Sequence, residues 1–117
     1  MEAAENGDRS EVISLIESGA AVDSTDEDGE TALHAAAYAG HLEVCGILID
    51  NNADLNIQDQ WGHTALHDAA MEGHLNIVRM LLSHGAHPNI EDNHGRTAGI
   101  HAELCGHGEI VLELSDI

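Results

Sequence analysis

Histidine is the residue type that first raises the question of chemistry in this chain. The 117 residues include ten histidines and two cysteines. Imidazole and thiolate groups bind zinc when four of them, or three and a water, meet around the ion. His84 and His87 are three residues apart, which is a weak ligand spacing, and Cys45 and Cys105 form no CxxC pair. We therefore predict no metal site and no cofactor, and we expect both thiols to be reduced.

Catalysis is a second chemistry that the residue types could suggest. His67 and Asp68 are adjacent, and histidines and cysteines both occur, but a nucleophile, a base and an orienting group must meet in a pocket. No GxGxxG or GxxxxGK[ST] loop is present to cradle a nucleotide. We predict that the chain is not an enzyme, because the repeats described below build a groove and no obvious deep cavity.

The charge of the chain points to the kind of partner it would take. It carries 22 acidic residues against three arginines and no lysine, and its formal net charge is −19. Such a surface repels phosphate groups, so we expect no direct binding to nucleic acid or to a membrane. It attracts basic proteins and speeds their association at low salt. A role of the charge in general solubility, or in adaptation to a salty cell interior, stays open as an alternative.

The elements that position these residues repeat along the chain. Phe is absent and Trp and Tyr occur once each, which favours thin stacked layers over a single aromatic core. Gly29, Gly62 and Gly95 recur at a period of 33 residues, and Gly7 precedes Gly40 by the same interval. The chain is therefore expected to begin inside a repeat. The same period relates three further sets of residues: Thr31, Thr64 and Thr97; Ala36, Ala69 and Ala102; and His41, His74 and His107.

Each repeat reads as a helix, a turn, a second helix and an extended loop. Thr31 and Thr64 are suited to cap a helix N-terminus, and Gly40 and Gly73 are suited to end that helix in the left-handed conformation. The second helix carries one apolar stripe in each of two copies. Its members are Val44, Ile47 and Leu48, and then Ile77, Val78, Leu81 and Leu82.

The segments GETALHAAAYAGHLEVCGILIDNNADLN and GHTALHDAAMEGHLNIVRMLLSHGAHPN resemble ankyrin repeats. The resemblance implies an all-α repeat protein, an ankyrin solenoid of helix-turn-helix-hairpin units. It implies a single domain, 1–117, with three full-length or nearly full-length repeats and a partial N-terminal one. The repeats fall at approximately 1–26, 27–59, 60–92 and 93–117. In the last copy Gly99 and Ile100 replace the family's leucine and histidine, so we expect its first helix to be the least stable.

The resemblance also assigns roles to individual side chains. His34 and His67 are expected to bond to the capping threonine and to neighbouring backbone. Asn56 and Asn89 match the hairpin asparagine that an oxygen-dependent asparaginyl hydroxylase modifies in some members of the family. Five histidines fall outside the family's fixed positions: His63, His84, His87, His94 and His101.

The partner-binding residues are predicted from the positions that differ between the copies, since stacking fixes the constant ones. In the family these positions point from the hairpin tips and first helices into a concave face. Tyr38, Trp61 and Met71 are residue types that anchor protein interfaces. Asp59 is expected in an acidic rim around them. Gln60 and Asn93 also differ between the copies, and we expect them to have no role in stacking the repeats. The predicted site is Glu27, Asp28, Glu30, Tyr38, Trp61, His63, Met71, Glu72, His94, Arg96 and Leu104.

We predict a non-catalytic protein-protein interaction module or scaffold that binds, on its concave face, a protein partner with basic residues. One alternative is an acidic escort chaperone for a highly basic client such as a ribosomal protein or a histone. A second alternative is an inhibitor of an enzyme such as a cyclin-dependent kinase. That inhibitor family has a shortened first helix in its second repeat, whereas residues 31–39 here are predicted to form a complete helix. We expect a monomer, which is the default for a charged stack with a single exposed groove. We expect it in the cytoplasm or the nucleus, because no apolar run or leader sequence indicates otherwise.

Overall fold

The computed structural model describes residues 2–115, so Met1 and residues 116–117 of the predicted domain lie outside the described part. Within this part the chain forms eight α-helices joined by turns, with no β-strand. The helices are α1 (Glu2–Glu5), α2 (Arg9–Glu17), α3 (Ala32–Ala39), α4 (Leu42–Asp50), α5 (Ala65–Glu72), α6 (Leu75–Ser83), α7 (Ala98–Leu104) and α8 (Gly108–Ser115).

The helices are arranged in two layers that run the length of the molecule. Each of the first helices, α1, α3, α5 and α7, packs against the next, and so does each of the second helices, α2, α4, α6 and α8. The two helices of every pair also contact each other. Over its described residues, each predicted repeat contains one such pair. This arrangement is the predicted all-helical solenoid, in which a repeat contacts its neighbours in the stack.

The first helices begin at threonines, as the sequence predicts. Thr31 Oγ1 accepts a hydrogen bond from the backbone N–H of His34 at 3.3 Å, and His34 Nδ1 accepts one from the Thr31 N–H at 3.1 Å. Nε2 of His34 then donates to the carbonyl oxygen of His63 in the next turn, at 2.8 Å. His67 repeats this arrangement with Thr64 and Arg96. The predicted structural role of both histidines is confirmed, and it ties each helix to the following repeat.

The glycine-histidine pairs join the repeats a second time. Gly40 ends α3 with φ 84°, and His74 of the next repeat donates from Nε2 to the Tyr38 carbonyl oxygen at 3.1 Å. A Cβ atom at Gly40 would lie 2.7 Å from Cε1 of His74. Glycine is therefore required here for the positive φ and for the close approach of the ring. His41 and His107 make the equivalent bonds, to Glu5 and Met71.

The core consists of small and aliphatic side chains in layers. Ala36, Ala37, Ala69 and Ala70 are wholly buried, which allows neighbouring first helices to approach closely. The largest fully buried aliphatic side chains are Leu33, Val44, Leu66, Ile77, Val78, Leu81 and Ile110. In the described part of the chain, no helix is long and apolar enough to cross a membrane.

The first helix of the last repeat has one hydrogen bond fewer at its N-terminus than α3 and α5. Thr97 still accepts from the backbone N–H of Ile100, at 3.4 Å, but isoleucine has no ring nitrogen to return the bond. Its side chain is 41% exposed, whereas the histidines at this position in the two preceding repeats are buried. The low stability expected for this helix remains a prediction.

Candidate functional site

Three turns between the repeats are held by aspartates. Asp59 Oδ1 accepts hydrogen bonds from the backbone N–H groups of Trp61 and His63, at 3.0 and 2.9 Å. Asp26 and Asp92 make the equivalent bonds in the other two turns. Asp59 is only 8% exposed, so its predicted place in an acidic rim is wrong: its carboxylate holds the turn.

The tips of successive turns are bonded to each other. Gln60 donates from its backbone N–H to the Asp28 carbonyl oxygen at 2.9 Å and from Nε2 to Asp28 Oδ1 at 3.0 Å. Asn93 donates in the same way to the carbonyl oxygens of Trp61 and Gln60. The prediction that Gln60 and Asn93 are free of stacking is therefore wrong. Side chains of different type can fulfil the same stacking role, so variation between the copies does not by itself identify a free surface.

We define the hairpin face as the surface formed by turns 26–30, 59–63 and 92–96 and by the outward sides of α3, α5 and α7. It corresponds to the concave face that the resemblance implies. Tyr38, Trp61 and Leu104 are 55%, 45% and 64% exposed, so none of them fills the core. Of the other predicted site residues, Glu27, Asp28, Glu72, His94 and Arg96 are exposed, and Glu30, His63 and Met71 are half-buried.

One end of the hairpin face contains a cleft of about 230 Å³. Its walls come from α1, the first turn, α3 and α5, so it spans three successive repeats. Four of its side chains are carboxylates, and one is the exposed phenol of Tyr38. We call it the acidic cleft, and it is lined by Glu5, Asp26, Glu30, Ala35, Tyr38 and Asp68.

The carboxylates of the acidic cleft repel one another. Burial, reinforced by the charges of Asp59, Glu30 and Glu72, raises the pKa of Asp68 to about 8. Burial also raises the pKa of Glu30, with Asp26 as the next contributor. A positive charge placed among these carboxyl groups stabilises their ionised forms, because it offsets the free-energy cost of ionising them. Chemically, the cleft is therefore suited to an ammonium or guanidinium group.

Three carboxylates of this cleft, Glu5, Asp26 and Asp68, are not among the site residues predicted from the sequence. Glu5 lies in the partial first repeat, which was compared with the others only at its glycines. Asp68 stands where the preceding repeat has Ala35, a difference between the copies that was visible in the sequence and could have identified it.

The two cysteines and the two hairpin asparagines lie outside the acidic cleft. Cys45 is wholly buried and burial raises the pKa of its thiol to about 12, so it is held as an unreactive thiol, whereas Cys105 is exposed. Asn56 accepts through Oδ1 from the His87 N–H at 2.9 Å, which links two repeats, and Asn89 is exposed. The hydroxylation of these two asparagines stays a prediction.

Comparison with protein families gives a match over nearly the whole chain. The family model described as ankyrin repeats (3 copies) matches residues 1–92 and 47–116. Comparison with curated proteins finds no match.

Proposed function

We propose, because the chain belongs to the ankyrin-repeat family, that its hairpin face binds a protein partner through that partner's basic residues. Ankyrin repeats indicate a protein-protein interaction module. The identity of the face and the basic character of the partner are the parts that we propose here. The acidic cleft, which combines four carboxylates with an exposed aromatic ring, is the observation that carries both.

A lysine or arginine side chain has the chemistry that this cleft requires. Its charge would stabilise the ionised forms of Asp68 and Glu30, whose pKa values are raised in the free protein. The exposed ring of Tyr38 lies at the same cleft, and a cation over an aromatic face contributes about 0.5–2 kcal/mol. Specificity beyond this contact would come from the rest of the face.

Trp61 supplies a second contact of different character. It is 45% exposed at the tip of the second turn, and Asp59 fixes its backbone. Exposed tryptophans on a rigid backbone are frequent anchors of protein interfaces, because they bury a large apolar area at little entropic cost. We propose a partner that presents an apolar group beside its basic residue.

Co-purification with point variants tests this assignment. The variants are Tyr38→Ala, Trp61→Ala and Asp68→Ala, and the last of these introduces the residue that the preceding repeat already has at this position. The control is Asp50→Asn, which removes one exposed carboxylate from the second-helix layer. We expect a protein recovered with the wild type and the control to be lost or depleted with the three variants. A set of bound proteins that all three leave unchanged would contradict the hairpin-face assignment.

An escort chaperone for a highly basic client is the second candidate, favoured by the net charge of −19. The two roles differ in their dependence on salt. Affinity for a polycation falls steeply as ionic strength rises, whereas binding dominated by Trp61 and one seated cation changes little. The kinase-inhibitor alternative gains no support, because α3 has eight residues and is as long as α5.

A further inference from the structure

The last two repeats bring together two imidazoles and one carboxylate outside the acidic cleft. His63 lies in the second turn, Asp92 in the third turn, and His101 in α7. Nε2 of His101 is 2.6 Å and Nε2 of His63 is 3.2 Å from the same oxygen, Oδ2 of Asp92. One donor atom from each residue lies within 4.8 Å of the other two. We propose that His63, Asp92 and His101 form a binding site for a divalent transition-metal ion of the Zn²⁺ type.

The donor set suits such an ion. Two imidazole nitrogens and one carboxylate oxygen are a common set of three protein ligands for Zn²⁺, with water at the fourth position. Ligands at about 2.0–2.1 Å from a tetrahedral ion stand roughly 3.4 Å apart. The observed distances of 2.6 and 3.2 Å therefore need to open by less than about 1 Å. Most of this opening lies between His101 and Asp92, whereas His63, whose side chain is 20% exposed, needs to move by only about 0.2 Å.

The carboxylate is already oriented for the ion. Oδ1 of Asp92 accepts from the backbone N–H groups of His94 and Arg96, both at 2.9 Å, which leaves Oδ2 directed at the two rings. Burial opposes the ionisation of Asp92, but the bonds from His101 and from these N–H groups outweigh it and lower its pKa. The anionic ligand is thus present before an ion arrives.

A neighbouring cluster of similar composition is not proposed as a metal site, because its histidine has no available ring nitrogen. His34, Asp59 and Asp68 also approach one another within 4.8 Å. However, both ring nitrogens of His34 are used by the fold, Nδ1 by Thr31 and Nε2 by the carbonyl of the following turn. By contrast, Nε2 of His101 bonds to the prospective ligand Asp92 itself, and Nε2 of His63 lies 3.2 Å from the same oxygen. An ion bound here would displace only the proton of Nε2, which passes to solvent.

The spacing of residues could not reveal this site, and the sequence alone predicts no metal. His63 is separated from His101 by a full repeat and a further turn, so only stacking brings them together. The ion would link the second turn to α7, across the junction between the last two repeats. Because the ion binds the folded form, it stabilises that form by mass action.

Titration with ZnCl₂, followed by calorimetry on protein without an affinity tag, tests the proposal. Two variants, His63→Ala and His101→Ala, each remove one ligand, and alanine is natural at the second position, as Ala35 shows. The matched control is the double variant His84→Ala/His87→Ala, which removes two exposed histidines of a loop. We expect one ion per chain for the wild type and the control, and an affinity at least about tenfold weaker in each ligand variant.

Absorption of the Co²⁺-substituted protein gives a second measurement, because a tetrahedral N/O site has intense visible bands that a hydrated octahedral ion lacks. Circular dichroism tests whether each variant is folded. If an alanine variant does not fold, His63→Gln or His101→Gln is used in its place. Failure of the wild type to bind one ion per chain would overturn the proposal. So would equal binding by the ligand variants, or loss of binding in the loop control.

Discussion

At the scale of single residues, Asp68 has properties that suit binding and oppose stability. Its pKa is raised from 3.8 to about 8 in the folded chain. Between these two values the folded state binds more protons at this carboxyl than the unfolded state does. The contribution of Asp68 to the free energy of unfolding therefore falls as the pH rises through this window. Residues placed for function often lower stability in this way.

We predict that Asp68→Ala is more stable than the wild type at pH 8–9. The gain is roughly 1–3 kcal/mol, because a buried, mutually repelled carboxylate is removed. The difference should shrink as the pH falls toward 4, where the wild-type carboxyl is protonated in the folded state. Urea unfolding at several pH values measures it, with the exposed Asp50→Asn as the control. A variant that is less stable than the wild type across the whole range would contradict this account of the cleft.

The residue scale is also where sequence reasoning was least complete. The exposure of Tyr38 and Trp61 followed from their positions in the repeat, because the register alone places them at the end of a first helix and at a turn. The burial of Asp59 and the tip contacts of Gln60 did not follow. These depend on how one turn lies against the next, which is a property of the stacked pair and is absent from any single repeat.

At the scale of elements, the helix ends follow the local sequence closely. α3 and α5 begin after a threonine and end at a glycine with positive φ, as their residues predict. The caps also connect repeats, since the same histidine that completes the N-terminal bonds reaches the next turn. The same side chains therefore begin a helix and join it to the next repeat. Local sequence preference and the contacts between repeats thus favour the same structure.

Two glycine substitutions separate backbone strain from the close contact of a neighbouring ring. Gly40 and Gly85 have φ of 84° and 96°, so alanine at either position incurs about 1–2 kcal/mol of strain. A Cβ at Gly85 meets no described atom within 4 Å, whereas a Cβ at Gly40 meets His74. We predict that Gly40→Ala loses roughly 1–3 kcal/mol more than Gly85→Ala in the free energy of unfolding. Chemical denaturation measures both, and equal losses would contradict the role assigned to the His74 ring.

At the scale of the whole molecule, the period of 33 residues was enough to predict the architecture. Each repeat contacts only the repeats beside it in the stack. A repeat that is recognised from its own sequence therefore predicts the whole arrangement, and no distant contact needs to be known. The acidic cleft and the proposed metal site of His63, Asp92 and His101 are each built by successive repeats together, and for that reason neither followed from the period. The sequence therefore predicts the stack more completely than it predicts what the stack assembles between its repeats.

The net charge of −19 leads to a prediction for stability. Self-repulsion of this charge destabilises the compact state, and salt screens it over a distance of about 10 Å at 0.1 M. We predict that the midpoint of thermal unfolding rises by several degrees between about 0.02 and 0.3 M NaCl. Circular dichroism measures this, with sucrose at equal osmolality as the control for effects unrelated to charge. A midpoint that is flat or falls with salt would show that the carboxylates do not strain the fold.

The central claim is that the partner binds the hairpin face. Hydrogen-deuterium exchange of the complex with the co-purified partner, compared with the chain alone, tests it most directly. We predict slower exchange in the turns 26–30 and 59–63 and in α3 and α5, with exchange in α4 and α6 unchanged. Protection confined to the second helices, with the turns and first helices exchanging as in the free chain, would contradict the claim.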